Sequence, residues 1–335
     1  MKQLKTLVRA SIAAIALAAS TAGMAQVTLR LAHYAEAGHP ANLAATQFAQ
    51  KVEARTAGKV KVSVYPANAL GSPPDQLQQV KLGAIDMGLP TQGALDKFNK
   101  AFAVVMLPFV FEDLAHAHRV LDGPAMDWLA PIAEKEGFVM LSNWEYGFRN
   151  LTNSKRPVTK LEDLDGIKLR VMQNEVYLDS FKLMGANAIP LPFSELFSAL
   201  ETKTVDGQEN PYNTILSSKF YEVQKYLSVT NHVYSPWIMT VSKKWWDQLS
   251  KDEQKVLLDA AKASRDFERQ DTREEAAKAV ADLKAKGMAV NDVAPQEVNR
   301  MREKLTRVNA AIAANVGMEL WNETQNELAK LRGGK

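Results

Sequence analysis

The stretch that decides the fold opens with Gly166-Ile167-Lys168-Leu169-Arg170-Val171-Met172 and closes with Val205-Asp206-Gly207-Gln208-Glu209-Asn210-Pro211. Both runs are of the β type, and a helical run lies between them. Arg170 stands near the end of the first predicted strand and Asn210 near the end of the second. Strand ends in open α/β folds face the ligand crevice, so both side chains are expected there. A guanidinium supplies two parallel donors and a carboxamide a neutral one, so the pair suits a bound carboxylate.

Strands and helices alternate before this stretch as well. Residues 27–32 and 60–65 alternate apolar and polar side chains and predict strands, and residues 85–90 predict a third. Helical patterns separate them, over residues 41–56 and again after Ser72, which is a good helix cap. This alternation is typical of a parallel sheet covered by helices, so the predicted fold class is α/β.

The later part of the chain turns from strands to helices. Residues 139–144, 146–152 and 237–242 predict further strands. Beyond them the chain is almost all helix, and the capping box Ser250-x-x-Glu253 opens the first of these helices. A long helix packed across two α/β lobes is one way to brace a hinge.

The predicted organisation has two α/β lobes, in line with the length of 335 residues. A turn cluster at residues 153–157 marks where the chain crosses between them. The expected boundaries are residues 1–25 for a signal peptide, 26–150 with 236–249 for lobe I, 151–235 for lobe II, and 250–335 for C-terminal helices that bridge both lobes.

The first residues have the pattern of a secretory signal peptide. Lys2, Lys5 and Arg9 precede a mostly apolar run at residues 10–19, and small residues follow up to Ala25. A membrane anchor needs about 20 apolar residues, and this run is shorter. Cleavage near Ala25 removes three basic and no acidic side chains, which takes the formal net charge of +3 to near zero, 3 − 3. We therefore expect an exported, periplasmic protein that is not embedded in the membrane.

The composition disfavours several other classes of function. There is no cysteine, which excludes cysteine catalysis, disulfides and a lipid-bearing cysteine in the signal. The 5 histidines are scattered, and His116 and His118 face different ways on a predicted helix, so we expect neither a metal site nor a cofactor. No basic stripe with interleaved aromatic residues indicates nucleic acid.

Two classes of function remain open from the residues alone. One is a binding protein that holds a small organic acid without chemistry. The other is a secreted carbohydrate-active hydrolase with Glu195 and Asp206 as acid and base, although a first-turn helix carboxylate and a turn aspartate are the simpler interpretation. Arg170 could likewise be a sheet-edge ion pair and Arg149 a surface charge. Phe193 precedes a helix and could offer its ring to the crevice.

A set of motifs carries a family resemblance that is specific only in combination. They are Tyr65-Pro66 with Leu70-Gly71, Gly83-x-Ile85-Asp86-Met87, Arg149-Asn150-Leu151-Thr152-Asn153-Ser154, Gly166-Ile167-Lys168-Leu169-Arg170-Val171, Phe193-Ser194-Glu195-Leu196-Phe197-Ser198-Ala199-Leu200 and the run from Val205 to Pro211. With these, nearly the whole mature chain resembles the solute-binding proteins of tripartite ATP-independent periplasmic (TRAP) transporters, in the dicarboxylate-binding DctP-like family. The resemblance implies a type II-like periplasmic binding protein, with two lobes that close by a hinge and long bridging helices, and no enzymatic activity.

The resemblance also implies roles for particular residues. Arg170 would form a salt bridge with the ligand carboxylate, Arg149 would assist it, and Asn210 would contact the ligand. Phe193 would line the pocket. The implied partners are a small organic acid and the membrane permease subunits that receive it.

The remaining pocket candidates bear on specificity. Tyr34 and Thr91 stand where sialic-acid-binding relatives tend to carry small or acidic residues, which disfavours sialic acid. Further candidates for the pocket lining are Gln92, Trp144, Asn174, Tyr212, Tyr234 and Trp237. Ring faces pack on C–H groups and amides bond hydroxyls, so a sugar acid such as a uronate or aldonate is favoured over a four-carbon dicarboxylate.

Overall fold

The computed structural model describes residues 26–332. The predicted signal peptide, residues 1–25, lies outside the described residues. Within residues 26–332, every helix is too short or too polar to cross a membrane.

The described strands form one mixed sheet. Its strands are β1 Val27–Ala32, β2 Val60–Tyr65, β3 Met87–Gly88, β4 Phe138–Asn153, β5 Lys168–Val171, β6 Asn187–Pro190, β7 Gly207–Asn210, β8 Tyr226–Ser242 and β9 Ala289–Asp292. Their order across the sheet is β2-β1-β3-β8-β4-β7-β5-β6, and β9 pairs with β8. The predicted α/β class is confirmed.

Helices cover this sheet and follow the sequence signals closely. They are α1 Pro40–Arg55, α2 Pro73–Leu82, α3 Leu114–Asp122, α4 Pro124–Lys135, α5 Glu175–Leu183, α6 Leu196–Glu201, α7 Tyr212–Ser217, α8 Lys243–Trp246, α9 Lys251–Ala285, α10 Pro295–Lys304, α11 Thr306–Val316 and α12 Met318–Leu331. Proline occupies the first turn of α1, α2 and α4. Proline suits that position because the first N–H groups of a helix have no partner within it.

Two long antiparallel strands, β4 and β8, run side by side through the middle of the sheet. Their pairing extends from Phe138 opposite Ser242 to Asn153 opposite Tyr226. On one side, β8 pairs with β3, which is followed across the sheet by the parallel pair β1 and β2. On the other side, β4 pairs with β7, which is followed by β5 and β6. We call the part around β1, β2 and β3 lobe I and the part around β5, β6 and β7 lobe II. The two lobes are thus joined by strands that belong to both.

The sequence predicted separate strands at residues 139–144 and 146–152, but these form the single strand β4. A break in the pairing register between Glu145 and Gly147 lies at their junction. Gly147 has a φ of +107°, which glycine adopts without steric cost. A bulge of this kind bends a strand without ending it, so β4 continues through this point as one strand. The return strand predicted at residues 237–242 is, in the same way, the second half of β8.

The ends of β5 and β7 lie next to each other in lobe II. These strands are parallel neighbours, with Leu169 opposite Gly207. A Cβ atom at Gly207 would collide with the carbonyl oxygen of Thr152, so the close approach of β7 to β4 requires glycine. Arg170 and Asn210 therefore lie at the same edge of the sheet, where the sequence predicted them.

The long helix α9 packs against both lobes. Its N-terminal capping box is formed, with the Ser250 N–H donating to the Glu253 carboxylate at 2.9 Å. Lys51 of α1 in lobe I donates to an α9 carbonyl oxygen at 3.3 Å, and Asn213 of α7 in lobe II donates to another at 3.0 Å. The expected bridging helix is confirmed.

Candidate functional site

A cavity lies between the lobes, at the edge where β5 and β7 end. Lobe I contributes to its lining Tyr34, Pro73, Pro74, Thr91, Gly93, Ala94 and Lys97, and lobe II contributes Arg170, Met172, Gln173, Asn174, Leu191, Pro192, Phe193 and Asn210. Apolar groups form most of this wall, and a few polar side chains interrupt it. Such a composition is typical of sites for small molecules, and closure from two sides would bury a ligand from water.

Arg170 is the buried charged residue of the cavity lining. Its side chain is buried, and its Nε donates to the carbonyl oxygen of Leu191 at 2.8 Å, which orients the guanidinium. Its Nη1 has no hydrogen-bond partner among the described residues, and no ion pair within residues 26–332 includes it. Burial lowers the pKa of Arg170 to about 10, although Glu209 opposes that effect, so the group stays protonated at neutral pH.

Arg149 lies fully buried beside the cavity, and its charge is already neutralised. Its Nε and Nη2 donate to the carboxylate of Glu209, with Nη2 at 2.8 Å from Oε1. His232 Nε2 lies 3.1 Å from the other carboxylate oxygen. Burial would raise the pKa of Glu209, but Arg149 and His232 together hold that pKa below its usual value. Arg149 therefore supports the site as half of an ion pair, and only its Nη1 remains without a partner.

Asn210 is held in place by a chain of hydrogen bonds. Its Oδ1 accepts from Arg149 Nη2 at 3.0 Å and from the Tyr146 hydroxyl at 2.9 Å. Its Nδ2 donates to Gln208. The Tyr146 hydroxyl in turn accepts from Thr214 at 3.0 Å. With Oδ1 used by the protein, Asn210 can face a ligand only as a donor, which suits an anionic ligand.

Aromatic rings form one wall of the cavity. The ring centroids of Tyr34 and Phe193, from opposite lobes, lie 4.9 Å apart, and that of Trp237 lies 4.6 Å from Tyr34 on its other side. The Arg170 guanidinium lies 6.0 Å from the Phe193 ring centroid. Trp237 Nε1 is buried without a hydrogen-bond partner among the described residues. The cavity wall thus presents apolar ring faces, and a buried N–H donor lies behind it.

The structure brings most of the predicted site residues together. Those that line the cavity are Arg170, Asn210, Phe193, Tyr34, Thr91 and Asn174. Arg149 and Trp237 lie directly behind this lining, against Asn210 and Tyr34 respectively. Gln92 lies in the chain between two lining residues and is fully buried, and neither its Oε1 nor its Nε2 has a partner among the described residues.

Three predicted pocket residues lie elsewhere. Trp144 donates to Ser142 Oγ at 2.9 Å, and its indole lies under α9. Tyr234 packs against Phe148 at 5.4 Å between ring centroids and belongs to a different part of the core from Trp237. Tyr212 lines a separate cavity beside the β4 bulge. The structure does not place these three residues in the cavity lining. For Trp144 and Tyr234, bulk and aromaticity alone do not indicate which face of a strand a side chain occupies, and Tyr212 begins the helix α7.

Some residues of the site were missed from the sequence. Glu209 and Tyr146 hold Arg149 and Asn210 in position, and Lys97 reaches the cavity rim. The signal for Glu209 was its charge, because a carboxylate in a buried strand needs a cationic partner. No comparable signal marked Lys97, which is an exposed lysine on a short 3-10 helix.

The carboxylates of the alternative hydrolase are not arranged for catalysis at this cavity. Asp206 accepts from the Lys168 N–H at 3.0 Å and lies 3.3 Å from Lys155 Nζ. Glu195 is exposed on a short turn. Neither is part of the cavity lining among the described residues. Within residues 26–332, no group of His, Cys, Asp and Glu side chains is arranged to hold a metal ion.

The fold and the cavity together define a two-lobed binding protein for a small solute. Residues 31–315 match the family model of bacterial extracellular solute-binding proteins, family 7 (DctP), and the chain belongs to this family. The resemblance seen in the sequence is thereby confirmed. Members of the family are substrate-binding proteins of TRAP transporters and not enzymes. They bind small organic acids, work with a membrane permease and are periplasmic.

Individual relatives support this assignment over most of their length. The 2,3-diketo-L-gulonate-binding periplasmic protein YiaO of Escherichia coli is 35% identical over 271 residues, 81% of this chain and 83% of the relative. The crystal structure of the sugar acid binding protein DctPAm of Advenella mimigardefordensis, in complex with galactonate, has a TM-score of 0.89 and 40% identity, over 92% of this chain and 99% of that one. A TRAP periplasmic solute-binding protein of Polaromonas, bound to D-erythronate, has a TM-score of 0.86 and 36% identity, over 90% and 98%.

Proposed function

We propose that this protein is the periplasmic solute-binding component of a TRAP transporter and that it captures a sugar acid, a uronate or an aldonate, for delivery to the membrane permease. In this proposal Arg170 binds the carboxylate, Arg149 and Asn210 assist it, and the lobes close over the ligand by bending at β4 and β8. The observation that carries the proposal is the buried guanidinium of Arg170, which has no acidic partner among the described residues.

A buried charge without a counter-charge favours an anionic ligand. Removing an ion from water costs several kcal/mol unless it is paired. Among residues 26–332, the Arg170 side chain makes a single hydrogen bond, to the neutral carbonyl oxygen of Leu191. A ligand carboxylate would supply the missing charge and accept two parallel N–H bonds from the guanidinium. A neutral sugar would leave the charge unpaired.

The neutral polar side chains of the cavity lining favour a hydroxylated acid over a four-carbon dicarboxylate. Thr91, Gln173 and Asn210 bring hydroxyl and amide groups to the cavity, which suits several ligand hydroxyl groups. A dicarboxylate would need a second cation, but Arg149 is neutralised by Glu209. Lys97 is exposed at the rim, where a single ion pair contributes little. The ligands of the three relatives described above, galactonate, D-erythronate and 2,3-diketo-L-gulonate, are also sugar acids or close derivatives.

Export and domain boundaries form part of the same proposal. Residues 1–25 would direct the chain to the periplasm and be cleaved near Ala25. Lobe I would comprise residues 26–150 with 236–249, lobe II residues 151–235, and the C-terminal helices residues 250–335. The passage of β4 and β8 through both lobes supports a hinge at these strands.

A thermal-shift screen tests the proposal. The purified mature protein would be heated with galactonate, gulonate, galacturonate and D-erythronate, and with succinate and the neutral alditols as comparisons. A ligand at 100 times its Kd stabilises the folded state by about 2.7 kcal/mol, which corresponds to a shift of roughly 5 °C in a protein of this size. We expect a shift with at least one sugar acid and none with the alditols. A shift with succinate alone would contradict the sugar-acid assignment, and a shift with alditols would contradict carboxylate recognition.

A further inference from the structure

A second region of contact joins the lobes beside the cavity. Asn174, at the start of α5 in lobe II, donates from Nδ2 to the carbonyl oxygen of Gly93 at 3.0 Å and to Oδ2 of Asp96 at 2.7 Å. Both acceptors belong to the 3-10 helix Gln92–Lys97, which follows β3 in lobe I. Asn174 and Gly93 also line the cavity. These two hydrogen bonds therefore close one side of the space in which the ligand would lie.

The hydrogen-bonding capacity of Asn174 is almost fully used by the protein. Both Nδ2 hydrogens are donated to lobe I, and its Oδ1 accepts from the Tyr177 N–H at 3.3 Å, which caps α5. Asn174 is 5% exposed and Asp96 is 3% exposed, so the contact between them is shielded from water. Asn174 could therefore bond a ligand from Nδ2 only by giving up its contact with lobe I.

Charged groups surround Asp96 on both sides of the contact. Lys97 and Lys100 face it from its own segment, and Glu175 faces it from α5. Lys100 Nζ lies 2.8 Å from the Glu175 carboxylate, but both side chains are largely exposed, so that pair contributes at most about 1 kcal/mol. Burial raises the pKa of Asp96 to about 6, against the effect of Lys100. The buried hydrogen bond is therefore the stronger link between the lobes here.

We infer that Asp96 and Asn174 form an interlobe latch, which holds the lobes closed over the ligand and raises affinity through closure rather than through ligand contact. The inference rests on the proposed function, since closure matters only to a protein that traps a solute. A closed latch must open before a bound ligand can leave, so it slows dissociation more than it changes association. Asp96 and Asn174 are thus positioning residues.

Exchanging the roles of the two side chains tests the latch. Asn174→Asp keeps the oxygen that caps α5 but removes the donor and sets two carboxylates against each other. At pH 8 we expect galactonate affinity to fall about a hundredfold, mostly through faster dissociation measured by stopped flow. Adding Asp96→Asn restores one donor and one acceptor in reversed roles, and affinity should return to within about tenfold of wild type. Glu175→Gln, which breaks the exposed pair, is the matched control and should change affinity less than about threefold.

A second readout does not depend on galactonate binding. The chain has no cysteine, so Lys59→Cys in lobe I and Glu201→Cys in lobe II provide unique exposed labelling positions for fluorescence energy transfer. Asn174→Asp should lower the closed fraction in this assay, and the double variant should restore it. Failure of galactonate to bind wild type would count against the proposed ligand, while energy transfer would still decide on the latch. If Asn174→Asp has the same affinity, dissociation rate and energy transfer as the wild type, the proposed latch is wrong.

Discussion

Replacing Arg170 by lysine separates charge from geometry at the centre of the proposed site. Lysine keeps a positive charge, but it cannot offer two parallel N–H donors, and it cannot also hold the Leu191 carbonyl as Arg170 Nε does at 2.8 Å. The substitution therefore leaves the sign of the local charge unchanged and removes the two parallel N–H donors that would bind a carboxylate.

The expected loss follows from the bonds involved. A hydrogen bond to a charged group is worth about 1.5–3 kcal/mol, and 1.4 kcal/mol is a factor of ten in affinity. Loss of one hydrogen bond to the carboxylate in Arg170→Lys should therefore weaken galactonate binding about 10- to 100-fold. Arg170→Met removes the whole charge pair, so binding should fall about a thousandfold, as for other desolvated pairs. The ligand-free protein should melt at the same temperature or higher in Arg170→Met, because a buried cation without a partner is removed.

Isothermal titration calorimetry measures both variants, with melting curves of the ligand-free proteins alongside. The matched control is Arg55→Lys, at the exposed end of α1, which should leave affinity unchanged. An unaltered Kd in both Arg170 variants would refute the reasoning. A drop in affinity accompanied by an equal drop in the melting temperature of the ligand-free protein would point to structural damage instead.

Three further outcomes follow from the structure. Glu209→Gln leaves Arg149 buried without its counter-charge, so the free energy of unfolding by urea should fall by about 3–5 kcal/mol, and a loss below 1 kcal/mol would contradict the buried pair. Burial between the lobes raises the pKa of Asp96 to about 6 from its ordinary value of 3.8, so closure takes up a proton. Affinity by calorimetry should therefore strengthen about tenfold from pH 7 to pH 5, and Asp96→Asn should flatten that profile. Ser250→Ala removes the cap that bonds Glu253, so stability in urea should fall by about 1 kcal/mol with unchanged ligand affinity, and a change in affinity would argue against a purely structural cap.

Local patterns were sufficient to predict the elements and the position of two central site residues. The alternation of short strands with capped helices indicates an α/β sheet, and Arg170 and Asn210 fall at strand ends because of their positions within two short β-type runs. The capping box at Ser250 likewise depends only on neighbouring residues. The assignment of a carboxylate-binding role to Arg170 remains a prediction until binding is measured.

Other features depend on contacts that sequence spacing does not encode. Tyr234 and Trp237 stand three positions apart along β8 and face opposite sides of the sheet, yet the sequence predicted both in the pocket lining. The neutralisation of Arg149 by Glu209 joins two strands far apart in the chain. The contact of Asp96 with Asn174 exists only where the lobes meet, so it requires the tertiary structure.

Carboxylate recognition by Arg170 is tested most directly by two ligands that differ only at the carboxylate. Galactonate and galactitol have the same carbon chain and share the hydroxyl pattern, but galactitol has an alcohol in place of the acid group. Calorimetry on wild-type protein should give a Kd for galactonate about a thousandfold below that for galactitol, and the gap should nearly vanish in Arg170→Met. Equal affinities in wild type, or a gap that survives in Arg170→Met, would contradict the central role of this guanidinium.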